Sequence, residues 1–83
     1  MSNTKMDIIV VAATPHEWPH NTDISYAQVV TFAFPDYAQH PEISYTVKYR
    51  QGHGEKPEGI LAPGGSVRVK DGMIFSVSPT GQS

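Results

Sequence analysis

The sequence predicts an α+β domain in which a mixed sheet packs on one helix. Three observations carry that expectation. Residues 6–13 are rich in Ile and Val and form too short a run for a stable helix, so they read as a strand. Ser25-Tyr26-Ala27-Gln28 has the spacing of a helix-opening capping box. Ile43, Tyr45, Val47 and Tyr49 alternate with Ser44, Thr46, Lys48 and Arg50, which is the clearest period-two signal in the chain.

The unbroken apolar character of the first strand places it inside a sheet. Thr14-Pro15 then begins a turn, and residues 16–20 return as an edge strand. Pro15 and Pro19 suit an edge because neither has a ladder donor to offer. In the helix, Ser25 accepts from the Gln28 amide and Gln28 reaches back. Ile24 and Val29 stand at the two positions of a hydrophobic staple. Tyr26, Val29, Val30, Ala33 and Phe34 recur at helical spacing on one face. Val29-Val30-Thr31 lowers intrinsic propensity, so packing must hold the helix, and Pro35 terminates it. Residues 36–41 connect to the alternating strand, and residues 51–57 form a polar turn containing two glycines. Residues 59–62 read as a short strand or apolar plug. Pro63-Gly64-Gly65 turns the chain, Val67 and Val69 alternate with Arg68 and Lys70, and Met73, Phe75 and Val77 share a face of the closing strand. Asp71-Gly72 is a turn signal that would make residues 67–77 a tight hairpin. The domain therefore spans residues 6–78, with a flexible N-terminus at 1–5 and a C-terminal tail at 79–83.

Eighty-three residues support one domain with a small core, and 39% hydrophobic content fits a folded module. The absence of cysteine excludes a disulfide scaffold, a thiolate nucleophile and a cysteine-based zinc site. The apolar run from Ile8 to Ala13 is too short to span a membrane, and the N-terminus lacks the pattern of a secretory signal. Cytoplasmic residence is expected. A formal charge of −2 gives no electrostatic reason to expect nucleic acid. The charge is uneven: Lys5 stands against Asp7, Glu17, Asp23, Asp36 and Glu42 in the first half. Lys48, Arg50, Lys56, Arg68 and Lys70 outnumber Glu55, Glu58 and Asp71 in the second.

No catalytic constellation emerges. His16 and His20 are four residues apart, but Pro19 argues against the helix that would bring their rings together, and His40 and His53 have no metal-site spacing around them. Residues 51–56 lack the strand-loop-helix context and the Gly-Lys-Ser/Thr ending of a phosphate loop. No metal and no enzymatic activity are expected.

The order of strand, strand, helix, strand, short elements and closing strand resembles the β-grasp fold of ubiquitin across residues 6–78. The segment from Gly59 to Thr80 is also similar to bacterial ubiquitin-like modifiers. Val69, Lys70, Asp71, Gly72 and Met73, followed by Phe75, Ser76 and Val77, resemble the end of such a domain. The resemblance implies that residues 73–77 pair in parallel with residues 8–12, and that the helix buries Val30 and Phe34 against Val10, Val47 and Phe75. It implies a substrate and carrier of conjugation rather than a catalyst. A peptidase would remove Gln82 and Ser83, exposing the carboxylate of Gly81, the single glycine standing where ubiquitin has two. An E1-like enzyme would adenylate that carboxylate with ATP, the chain itself holding no cofactor. An E2-like partner would receive it as an ester or thioester before transfer to a target protein. Ser78, Pro79 and Thr80 would form the flexible reach into partner active sites. The implied partner surface is the sheet face opposite the helix, with Ile9, Val11 and Ile74, and Trp18 is a further interface candidate. Lys5, Lys48, Lys56 and Lys70 are the lysines that chain formation would use. The alternative reading is a noncovalent β-grasp interaction or self-assembly module acting through an open sheet edge. Neither reading involves nucleic acid or a membrane.

Overall fold

The computed structural model describes residues 5–40, 42–52 and 57–80. Along the chain run β1 (Met6–Val11), β2 (Thr14–Pro19), β3 (Asp23–Ser25), α1 (Tyr26–Ala33), β4 (Tyr45–Arg50), β5 (Gly59–Leu61), β6 (Ser66–Arg68) and β7 (Ile74–Pro79). A 3-10 turn, Tyr37–Gln39, lies inside the segment expected to be a plain connection. One sheet has the order β2-β1-β7-β4-β5, and β3 pairs with β6 in a small second sheet. The β1–β7 pair is parallel, as the resemblance implies, and the other pairs are antiparallel. The fold is α+β, a β-grasp arrangement with one helix laid on a mixed sheet.

The core forms where α1 meets the sheet. Val29 and Val30 of α1 are fully buried with Ile9, Val11, Val47 and Phe75 from the central strands. In β4 and β7 the inward set, Tyr45, Val47 and Phe75, follows the sequence alternation. In β1 it does not. Ile9 and Val11 are buried at 0% and 1% exposure, whereas Val10 is only half-buried and Ile8 is exposed. The expectation that Val10 faces the helix, with Ile9 and Val11 on the open face, is therefore corrected by one residue. A one-residue slip exchanges the two faces of a strand, and an unbroken apolar run carries no alternation to fix its phase. The residue that reports the phase is Asp7, buried on the same face as Ile9 and Val11, with its carboxylate 3.0 Å from His20 Nδ1.

The turn between β1 and β2 falls earlier than Thr14-Pro15. Val11 pairs with Thr14, so Ala12 and Ala13 make the whole connection, at φ 52° and 69°. Two-residue hairpins favour positive φ at both positions because that twist matches the strands. Alanine gives no sequence signal for this geometry and adopts it at a cost of about 1–2 kcal/mol per residue. The hairpin expected across Asp71-Gly72 is not formed either: β6 leaves the main sheet to pair with β3, and Val69 N–H donates to Thr22 O at 2.9 Å. Gly72 still turns at φ 87°, feeding β7 in beside β1.

α1 begins as the sequence predicts. Ser25 Oγ accepts from Gln28 N at 3.1 Å and Gln28 Oε1 accepts from Ser25 N at 2.9 Å, completing the capping box. Its first residue also repairs the sheet. β5 ends at Leu61 and the chain turns over Ala62–Gly65, where Gly65 N–H donates to Ala62 O, so the β4–β5 ladder stops short of Tyr45. Tyr26 Oη replaces it, accepting from Tyr45 N at 3.2 Å and donating to Tyr45 O at 3.1 Å, both buried.

These contacts generate two stability predictions. Tyr26→Phe should leave the buried Tyr45 amide and carbonyl without that partner and cost about 1–3 kcal/mol, measured by urea unfolding. An unchanged midpoint would refute the repair role. Ala13→Gly should raise stability by about 0.5–1 kcal/mol, the relief of left-handed strain less the added chain entropy. A lower midpoint in the same assay would show that the turn is not strained.

Candidate functional site

The site implied by the sequence lies where β7 leaves the sheet. β7 is central, between β1 and β4, and is anchored by Phe75 at 1% exposure and by Met73 just before it at 0%. Its ladder with β4 continues to the Tyr45–Pro79 pair, and Thr80 N–H donates to Ser44 O at 2.8 Å. The Thr80 hydroxyl donates to the same carbonyl at 3.2 Å. Since Ser44 and Thr80 bond directly, Tyr45 and Pro79 occupy the alternate, non-bonded pairing, so the missing proline N–H costs nothing in this ladder. The structure thus places Ser78 and Pro79 in the strand and fastens Thr80 to Ser44. The carboxylate-bearing candidate Gly81, with Gln82 and Ser83, lies outside the described residues. At the exit, burial, and after it the Asp36 carboxylate, push the Tyr45 phenol above its ordinary pKa.

The four residues expected to form a partner surface do not come together. Ile9 and Val11 are in the core. Trp18 lies on the helix side of β2, edge-to-face with Phe32 at 5.9 Å, its indole N–H donating to Asp23 O at 3.3 Å. His16 stacks on the same Phe32 at 4.1 Å. Ile74 alone is on the open face, paired with Val10 of β1 and Arg50 of β4. The apolar residues that sequence reasoning missed there are Met6, Ile8 and Ile60, at 40%, 42% and 69% exposure. Met6 and Ile8 would have been found had Asp7 been read as an inward residue.

Of the remaining histidines, His40 has structural neighbours. His40 Nε2 is 3.2 Å from Asp36 and its Nδ1 is 3.5 Å from Glu42. His53 lies outside the described residues. Among the described residues, no group of three or more His, Cys, Asp or Glu is placed to hold a metal ion. No described helix is long and apolar enough to cross a membrane.

A family model described as Multiubiquitin matches residues 8–81. No curated protein and no solved structure matches the chain. The matched segment runs from within β1 through α1 and β7 to the glycine after Thr80. The chain belongs to the multiubiquitin family and is a bacterial ubiquitin-like modifier rather than a catalyst.

Proposed function

We propose that this modifier is cleaved after Gly81 and joined to a target protein through the Gly81 carboxylate. The observation that carries the reading is the family match, which extends through that glycine. In the reaction sequence, a peptidase hydrolyses the Gly81–Gln82 bond and releases the segment beginning at Gln82. In an E1-like enzyme the freed carboxylate attacks the α-phosphorus of ATP, pyrophosphate departs, and an acyl adenylate forms. A partner nucleophile displaces AMP to give an ester or thioester. An amine or hydroxyl of the target, in an E2-like enzyme, then displaces that carrier and completes an amide or ester bond. Glycine suits the reacting position because the missing Cβ leaves the carbonyl open to attack within a narrow channel.

The division of labour fits the chain's chemistry. With no cysteine of its own, the modifier leaves thiol chemistry to the partner, and ATP binds the activating enzyme alone. Ser78, Pro79 and Thr80 are the residues the partner reads on the way to Gly81. Binding to an activating enzyme would have to release Thr80 from Ser44 if the reach is to begin before Gly81. This reading places the pathway in the cytoplasm.

The test is intact and C-terminal peptide mass of the protein recovered from a host that carries the conjugating enzymes. A chain ending at Gly81, or a branched peptide joined through it, is the expected result. Material carrying an uncleaved Gly81–Gln82 bond, with those enzymes active, would overturn the reading. Gly81→Ala should lose most of the conjugate while retaining the wild-type unfolding midpoint. Undiminished conjugate formation by that variant would show that another residue carries the acyl group.

A further inference from the structure

The two edges of the main sheet are not equivalent. On β2, His20 N–H donates to Lys5 O at 2.9 Å, which fixes the phase of the β1–β2 ladder. Trp18 and His16 share the phase of His20 and turn their backbone groups inward, toward β1. Pro15, Glu17 and Pro19 therefore turn theirs outward. Two of these three outward positions are prolines, so Glu17 is the strand's one donor to the free edge. A second strand has little to pair with there.

β5, at the other edge, has no such block. The Ser44–Thr80 hydrogen bond fixes the β4–β7 phase, which leaves the Tyr45, Val47 and Tyr49 backbone groups facing β5. Gly59 and Leu61 pair with Tyr49 and Val47, so the N–H and C=O of Ile60 point away from the sheet. The Ile60 side chain is the most exposed large apolar group among the described residues, at 69%. It stands at the rim of a depression of about 520 Å³ that also takes in Lys48, Arg50, Glu58 and Ile74. The depression carries Lys48 and Arg50 against the single carboxylate of Glu58, so its charge is net positive. Lys48 has no ion-pair partner among the described residues. The small sheet offers a weaker edge: the β6 flank carries Ser66 and Arg68, and Arg68 is committed to Asp23 and Asn21.

We propose that β5 is a strand-addition edge for an extended segment of a partner protein. The segment pairs with the free N–H and C=O of Ile60. It sets an apolar side chain beside Ile60 over the depression, and it carries a carboxylate within reach of Lys48. Backbone pairing supplies attachment, while the apolar and acidic positions supply selection. A second copy of this chain fits less well, because it brings Lys48 and Arg50 to the edge against the single carboxylate of Glu58. The inference is independent of transfer through Gly81, since its readout is noncovalent.

The probe is a capped heptapeptide, Thr-Val-Thr-Ile-Thr-Asp-Thr, titrated to millimolar concentration into the isotopically labelled full chain and followed by amide NMR shifts. Perturbations centred on Ile60 and extending to Lys48 and Ile74 are expected, with core amides unmoved. The peptide with Lys in place of Asp should bind more weakly, and Lys48→Glu should invert that preference. Ile60→Pro, which removes the outward donor without touching the β4 ladder, should abolish the perturbation. No shift at Ile60, a response centred on Glu17, or the same shifts produced by concentrating the protein alone would each overturn the proposal.

Discussion

The parallel ladder between β1 and β7 joins the two ends of the domain, and the other elements depend on it. It is held by few groups. Val10 N–H donates to Met73 O at 2.9 Å, Ala12 N–H donates to Phe75 O at 3.2 Å, and Gly72 N–H donates to Ile8 O at 2.7 Å. The Ile8 N–H, facing the place where β7 has not yet begun, is taken by Asp71 Oδ1 at 2.8 Å, across a sequence separation of 63. Parallel neighbours need a crossover, and here nearly the whole chain serves as one, with α1 packed across the sheet it spans. Contacts of such separation form only after a long loop closes, so the interior faces of β1 and β7 must be strongly apolar to compensate.

That requirement explains the burial of Asp7. Once Ile9 and Val11 face α1, the two-residue period puts Asp7 on the same side, at 1% exposure. A buried carboxylate needs a partner, and β2 supplies His20, whose Nδ1 lies 3.0 Å from both carboxylate oxygens. The imidazole is half-exposed, so the pair sits at the boundary between core and water. The prolines of β2 fit the same hairpin: they take the outward positions, while Trp18 and His16 hold the inward ones against Phe32.

Legibility in the sequence depended on how local each signal is. The Ser25–Gln28 cap and the alternation of β4 involve residues a few positions apart, and both appear in the structure as read. The phase of β1 was not legible, because residues 8–13 are all apolar and the one polar neighbour, Asp7, argues for the wrong face until His20 is known to reach it. The Ala12-Ala13 turn was hidden for a related reason, since its positive φ values are imposed by the strands on residues that do not prefer them. The pairing of β3 with β6 joins segments more than forty residues apart and left only a weak trace in Ile24 and Val67. At the candidate site, β7 could be placed from sequence, although Ser78 and Pro79, read as part of a flexible reach, lie in its ladder and Thr80 is fastened to Ser44. The open face could not, because Ile60 reads as well for a plug as for an edge.

The position of β7 also separates two tasks on one small surface. Ile60 lies in a lateral row with Lys48 and Ser76, whereas Thr80 is the last fastened residue among the described residues. Four residues of strand amount to about 13 Å, and β4 stands between β5 and β7 throughout. A segment added at the β5 edge therefore has two strands, β5 and β4, between it and the exit strand and does not cover the exit. Because the exit strand is central and paired on both sides, its direction is set by the sheet rather than by the occupant of the edge. A modifier built this way can be held by one partner along β5 while its last strand presents the residues after Thr80 to another.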